Sequence, residues 1–198
     1  MPVDAASPAE KPMRERIIES ADRCFRRFGV GKTTIEDIAA DVGVSRATIY
    51  RYAEGGREEI VFSVMLEESR KQLVELIERF RDVDGLTDTM VAIIVELVFT
   101  NREDEQLATL FNAESLGVGS SFPGATDLML DGTLELLGPF FSAGRDLGEL
   151  RKDLTDREVA EWLLRAVWSL LSFEGEAGQS RASARRFLET FVMPPLVP

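Results

Sequence analysis

The groups that could do chemistry are unevenly spread along this chain, and the commonest catalytic ones are missing. Histidine is absent and Cys24 is the single cysteine. That removes imidazole acid–base catalysis, Ser–His and Cys–His nucleophile pairs, and His or thiolate metal sites. Neither a GxxxxGK[ST] phosphate loop nor a GxGxxG fingerprint occurs, and GVGSS at Gly117–Ser121 is too short for either. No catalytic residue, metal or cofactor is therefore expected; an enzyme would have to run on carboxylates, lysine or a cofactor. What the chain does hold is a cluster of cations and hydroxyls: Lys32, Thr33, Thr34, Ser45, Arg46, Thr48, Tyr50, Arg51 and Tyr52, with Ala47 among them. Side chains of these types pair with phosphate oxygens and base edges.

The cluster stands out against an acidic background. The 198 residues carry a formal charge of −12, yet Lys11 to Tyr52 hold nine Lys/Arg against six acids. From Val61 onward the balance is 13 basic to 24 acidic residues. A polyanionic partner suits only the first part, although an acidic solvated surface would give the same asymmetry. The longest apolar stretch, around Met90–Phe99, is interrupted by Glu96, so no membrane span is expected. The first twelve residues have neither the basic start nor the apolar run of a signal, and read as a disordered leader on a cytoplasmic protein. Cys24 lies on an apolar helical stripe and reads as a buried, inert thiol.

The elements that must position the cluster are helical throughout, with no convincing alternating strand. Arg14–Phe28 carries Ile17, Ala21, Cys24, Phe25 and Phe28 on one stripe and stops at Gly29. Thr33-x-x-Glu36 has the form of a capping box opening a second helix with Ile35, Ile38, Ala39 and Val42 inward. Gly43 supplies a turn, and Ser45 caps a third helix to about Tyr52. After Glu54-Gly55-Gly56 a long helix runs from about Arg57 to Arg81, with i,i+4 pairs Glu67–Lys71 and Glu75–Arg79 outside. Further patterns cover about 86–101, 104–116, 125–137, 155–173 and 181–192, and Pro139 should end or kink the helix before it. The units expected are residues 1–12 as leader, 13–56 as a three-helix head, and 57–198 as a larger all-α unit.

Two short helices across a glycine turn, the second bearing polar residues, form a helix-turn-helix pattern. Val44 and Ile49 hold the second of these onto the first, leaving Arg46, Ala47, Thr48, Tyr50 and Arg51 outward. Such a helix fits the major groove of double-stranded DNA, where Arg46 and Arg51 suit guanine and the hydroxyls of Ser45, Tyr50 and Tyr52 suit phosphates. A module packed against protein without DNA is the other reading of the same face.

The residues RERIIESADRCFRRFG and KTTIEDIAADVGVSRATIYRYAEGGREEI resemble the tetracycline-repressor (TetR) family of bacterial transcription regulators. The segments GRDLGELRKDLTDREVAEWLLRAVWSLL and RRFLETFVMPPL are similar to that family's closing portion. The resemblance implies an N-terminal DNA-binding domain, a C-terminal ligand domain, and a homodimer closed by the last two helices. It also implies that Lys32, Thr33 and Thr34, at the start of the second helix, face the DNA backbone. Where the family usually has an aromatic followed by proline, this chain has Ala53-Glu54, which predicts a looser meeting of the third and fourth helices.

In the second half, Thr155-x-x-Glu158 opens a helix apolar over more than half its circumference. Val159, Leu163 and Leu170, with Phe187 and Phe191 of the last helix, suit a two-fold four-helix interface. The resemblance implies that the middle helices enclose an effector. Met90, Ile94, Leu97, Leu110, Phe111, Phe122, Met129 and Phe140 are its candidate walls, with Val98, Leu128 and Leu136 nearby. Trp162 joins that set, although Trp162 and Trp168 also fit core or interface. The Met and Phe content suggests a small apolar or aromatic effector, with Glu96 and Asn112 as possible polar anchors. The expected function is a ligand-responsive repressor on a near-palindromic operator. The alternatives are a helical small-molecule-binding adaptor with a weakened DNA head, or an all-α enzyme.

Overall fold

A computed structural model describes residues 11–112, 115, 117, 122–173 and 175–198. Among these the chain is all-α. Helices α1 (Met13–Phe28), α2 (Ile35–Val42) and α3 (Arg46–Tyr52) form the head; α4 (Gly56–Arg79), α5 (Leu86–Glu103), α6 (Glu105–Leu110), α7 (Ala125–Leu147), α8 (Asp156–Ser172) and α9 (Arg181–Phe187) follow. A π-helical turn, Leu188–Val192, extends α9. The stretch after Leu110 expected to continue α6, the GVGSS segment and most of the leader lie largely outside the described residues. Of the leader, Pro12 caps α1 and Lys11 pairs with Glu19.

The head forms as its sequence dictates, with one register correction. The cap of α2 is Thr34, not Thr33: Thr34 Oγ1 accepts from the Asp37 amide while the Asp37 carboxylate accepts from the Thr34 amide. Gly43, at φ 79°, provides the left-handed turn that returns the chain into Ser45, whose hydroxyl accepts from the Thr48 amide. Ile17, Ala21, Ile38, Ala39 and Ile49 are buried at the centre. This core is completed from outside the three helices, by Ile60, Val61, Val64 and Met65 of α4 and by Leu110 and Phe111.

The larger core is built around α5. Its Met90, Val91, Ile93, Ile94, Val95 and Val98 are buried on all sides, which a helix tolerates only when neighbours surround it. Gly144 of α7 permits a close approach to it, since a Cβ there would lie 2.6 Å from Leu86 Cδ2. Thr155 and Glu158 form the expected capping box of α8. At the other end of α8, Arg102 of α5 donates to the carbonyl of Leu170, one of the acceptors that a helix C-terminus leaves open.

Two local expectations are corrected. Pro139 does not end a helix: α7 continues to Leu147. Pro139 and Glu135 are both exposed, so the carbonyl that loses its helical donor can face water. On α4, Lys71 pairs with Glu68 at 2.8 Å and Arg79 with Glu96 at 3.6 Å, instead of the i,i+4 partners. Arg79 goes to a tertiary carboxylate, Glu96 of α5, while Lys71 takes Glu68 at i,i+3 on its own helix; both carboxylates are largely covered.

Candidate nucleic-acid interface and effector cavity

The head turns one face of α3 and the start of α2 to solvent. Ile49 is fully buried against α2, and this anchoring leaves Arg46, Ala47, Tyr50, Arg51 and Tyr52 exposed. Lys32, Thr34 and Ser45 are exposed beside them, and Thr48 is half-buried. Thr33 departs from the expectation. It is buried, and its hydroxyl donates to the carbonyls of Gly29 at 2.9 Å and Cys24 at 3.2 Å, leaving nothing for a phosphate. The reason is the cap register: with Thr34 at the helix start, Thr33 turns inward.

Electrostatics on this face are organised by carboxylates, among them Glu36, which the spacing placed in a helix cap and which takes an arginine instead. Arg46 Nη1 lies 2.6 Å from Glu36 Oε1 of α2, both exposed. The Arg51 guanidinium sits 5.1 Å from the Tyr52 ring centroid. The Thr34 hydroxyl and amide hold the Asp37 carboxyl below the usual carboxylate range. Asp41 is lowered too, first by the Ser20 hydroxyl at 2.7 Å and then by Arg23, which binds α1 to α2. Burial pushes the Cys24 thiol up, as an inert core thiol requires.

The junction between head and body is polar and specific. Arg57 of α4 donates to the carbonyls of Thr33 at 3.3 Å and Val30 at 2.5 Å. Arg26 of α1 reaches Gln106 of α6 at 2.5 Å and Glu68 of α4 at 3.3 Å. Phe122 belongs to this junction and not to a cavity wall: its ring packs on Phe62 with centroids 6.0 Å apart and closes over Gly55. The side chain that covers the turn thus comes from a distant segment, while Ala53 is buried in the head core.

A cavity of about 480 Å³ opens between α1, α4, α5, α7 and α8. Its walls include Met90, Ile94, Leu97, Phe111 and Met129, and also Leu128 and Leu136. Leu110 does not line it; that residue packs in the head core beside a separate cleft of about 310 Å³ between α1 and α6. Phe140 packs against the body core, and Val98 is wholly buried there. Trp162 lies outside the cavity, 39% exposed, with its indole donating to the Val192 carbonyl at 2.8 Å; Trp168 is the tryptophan in the wall. Glu96 is engaged by Arg79 and Arg181, and Asn112 is exposed, so neither is an anchor. Asn101, Ser63 and Thr133 supply polar groups instead, together with Arg14 of α1, whose neighbour in the wall, Ile18, is apolar. Periodicity gave no signal for those contributions, because they depend on how the head leans on α4.

The interface residues divide sharply. Val159, Leu163 and Leu170 are buried within the chain's own core, and Leu163 lines the cavity, so these three are already spent. Their helix is apolar over a wide arc because α5, α7 and the π-helical turn Leu188–Val192 pack around it. Phe187 is half-buried and Phe191 is 65% exposed, their rings 5.7 Å apart.

A buried-backed recognition helix beside a capped helix start defines the class: a helix-turn-helix DNA-binding protein joined to a helical body. Residues 17–64 match the model of the family described as bacterial regulatory proteins, tetR family, so the head of this chain is that of a TetR-family transcriptional regulator. Along most of its length it is similar to an uncharacterized HTH-type transcriptional regulator of Mycobacterium tuberculosis, 26% identical over 93% of this chain and 85% of that one. The HTH-type transcriptional repressor BepR of Brucella suis is 25% identical, covering 83% and 82% of the two chains. The structure of RolR in complex with resorcinol shares the fold at a TM-score of 0.61 and 19% identity, over 93% of this chain and 94% of that one. No helix is long and apolar enough to cross a membrane, and no metal-binding cluster occurs among the described residues.

Proposed function

We propose that this protein is a homodimeric repressor, released from a near-palindromic operator by a small apolar effector. The observation that carries the DNA reading is α3 itself: Ile49 is buried while Arg46, Ala47, Tyr50 and Arg51 point outward on one short helix. Arg46 and Arg51 are assigned to bases, and Lys32, Thr34, Tyr50 and Tyr52 to phosphates. The hydroxyls of Thr34 and Ser45 already cap their helices, so their part in phosphate contact is secondary.

Dimerisation is assigned to the exposed apolar side of the closing helices, through Trp162 and Phe191 with Phe187 beneath. Two heads related by a two-fold axis would read half-sites about 34–36 Å apart. The effector occupies the 480 Å³ cavity, whose size suits a drug-sized molecule and whose lining is mainly apolar. That RolR is solved with resorcinol and that BepR is termed a repressor support the ligand and direction assigned. Occupancy shifts α4, and Arg57 and Arg26 carry the shift into the head. A coupling of about 1–3 kcal/mol changes operator affinity 5- to 150-fold.

Selection of duplexes from a random library by the purified protein tests this reading. Enrichment of a palindrome whose half-sites lie one helical turn apart is expected. Failure to enrich any sequence with ligand-free protein would refute it.

A further inference from the structure

Resting on the effector reading above, we propose a chemistry for the molecule that fills the cavity. It is neutral, and it presents one hydrogen-bond acceptor that is read by Arg14 of the head's own first helix.

The cavity does not stop at the body. Arg14 and Ile18 of α1 form part of its wall, next to Ser63 of α4. Arg14 spends a single nitrogen, Nη2, on two acceptors at 3.2 Å each: Glu59 Oε1 and Ser63 Oγ. A guanidinium carries five N–H donors in a planar fork, so capacity remains for an acceptor brought from the cavity side. The interior is otherwise apolar. Asn101 takes the Gln72 amide and gives its own to the Leu97 carbonyl, and the Thr133 hydroxyl is spent on the Met129 carbonyl. Of the polar wall groups deep in the body, these two are therefore internally engaged.

Net charge decides against an anion. The rim holds Arg14 and Arg70 against Glu67, Asp131 and Glu135. Arg70 is paired with Glu135, Asp131 with Arg157, and Arg14 with Glu59. A carboxylate approaching Arg14 would meet Glu59, which is largely covered and is further held by the Gly55 amide at 3.0 Å. A carbonyl or ether oxygen has no such repulsion. An acceptor that draws Arg14 toward the cavity weakens its hold on Glu59 and Ser63, a tie between α1 and α4. Ligand recognition and the loosening of the head are then one event at one side chain.

The probe is the neutral dye prodan, a dimethylaminonaphthalene bearing an acyl carbonyl, compared with its parent dimethylaminonaphthalene, which lacks that carbonyl. Both are titrated into the full chain by fluorescence. Wild type should bind prodan more tightly than the parent. Arg14→Met should weaken prodan about tenfold, the scale of one charge-assisted hydrogen bond, and leave the parent within about twofold. Glu59→Gln, which frees Arg14 without removing it, should strengthen prodan alone and keeps the test available if Arg14→Met does not fold. Gly132→Leu narrows the cavity and should reduce both dyes. Equal loss of both dyes on Arg14→Met, or no preference for prodan in wild type, overturns the proposal while leaving the effector cavity standing. Binding of neither dye to wild type, or binding indifferent to Gly132→Leu, overturns the proposal and removes the support for the cavity reading as well.

Discussion

Glu36→Gln removes the carboxylate that Arg46 holds at 2.6 Å and leaves the shape of the α2 surface nearly unchanged. If Arg46 reads a base, it must leave Glu36 on binding, so the ion pair is a cost charged against every association. Both partners are more than half exposed, which places the pair at about 0.2–1 kcal/mol. Its removal should tighten binding to the selected duplex by about 1.4- to 5-fold. Arg46→Ala should weaken the same binding by about 1–3 kcal/mol, the value of a bidentate arginine–guanine contact. The decisive quantity is the double variant, measured by fluorescence anisotropy at low salt, where surface charges are least screened. Once Arg46 is gone, the gain from Glu36→Gln should vanish. A gain that persists undiminished in the Arg46→Ala background would refute the exchange, because it would come from Glu36 repelling phosphates and not from holding Arg46.

Other expectations follow from the same geometry. Folded-state lowering of Asp41 means that its contribution is complete above the unfolded carboxylate range and is lost as pH falls through the lower folded value. Wild type should therefore lose stability below about pH 4, and Asp41→Asn should flatten that limb of a urea-midpoint profile; an unchanged limb would dismiss the α1–α2 tie. Ser45→Ala deletes the α3 cap and should cost about 1 kcal/mol in chemical denaturation, with operator binding weakened if the helix start frays. Arg57→Met strips two carbonyls of a charged donor and should cost about 2–4 kcal/mol; a change below about 0.5 kcal/mol would show that solvent replaces it. Phe191→Glu should shift sedimentation from dimer to monomer with α-helical circular dichroism intact, and a dimer that survives it would move the interface elsewhere.

Much of this architecture was legible because it depends on local rules. Gly29, Gly43, Ser45 and the Thr155–Glu158 box each act within one helical turn, and the helices begin and end where they stand. The misreadings were non-local or were decided by a single residue of register. Whether Thr33 or Thr34 caps α2 turns on which one is needed to tie down the carbonyls of Gly29 and Cys24, and spacing alone does not tell. The wide apolar arc of α8 is consistent with a partner subunit or with three neighbours of its own, and Val159, Leu163 and Leu170 took the second course. Trp162 and Trp168 differ by six positions on one helix; only the crossing of α8 with the cavity walls assigns the second to the wall. The ties that Arg14, Arg26 and Arg57 make between head and body were illegible because those partners lie 24 or more residues away.

The head core's dependence on Ile60, Val61, Val64, Met65, Leu110 and Phe111 sets how this protein can be recombined. A cut after residue 56 looks natural on the page, since a glycine pair separates three short helices from a long one. Such a fragment would leave the undersides of Ile17, Ile38 and Ile49 without much of their cover. Grafts of a foreign head onto this body would inherit the mismatch at the same six side chains. A workable exchange has to carry the first three turns of α4 with the head and match the end of α6 to it. Natural shuffling of heads and bodies faces that condition too, so operator and effector specificity in such a chain are tied to one packed surface and would be expected to drift together.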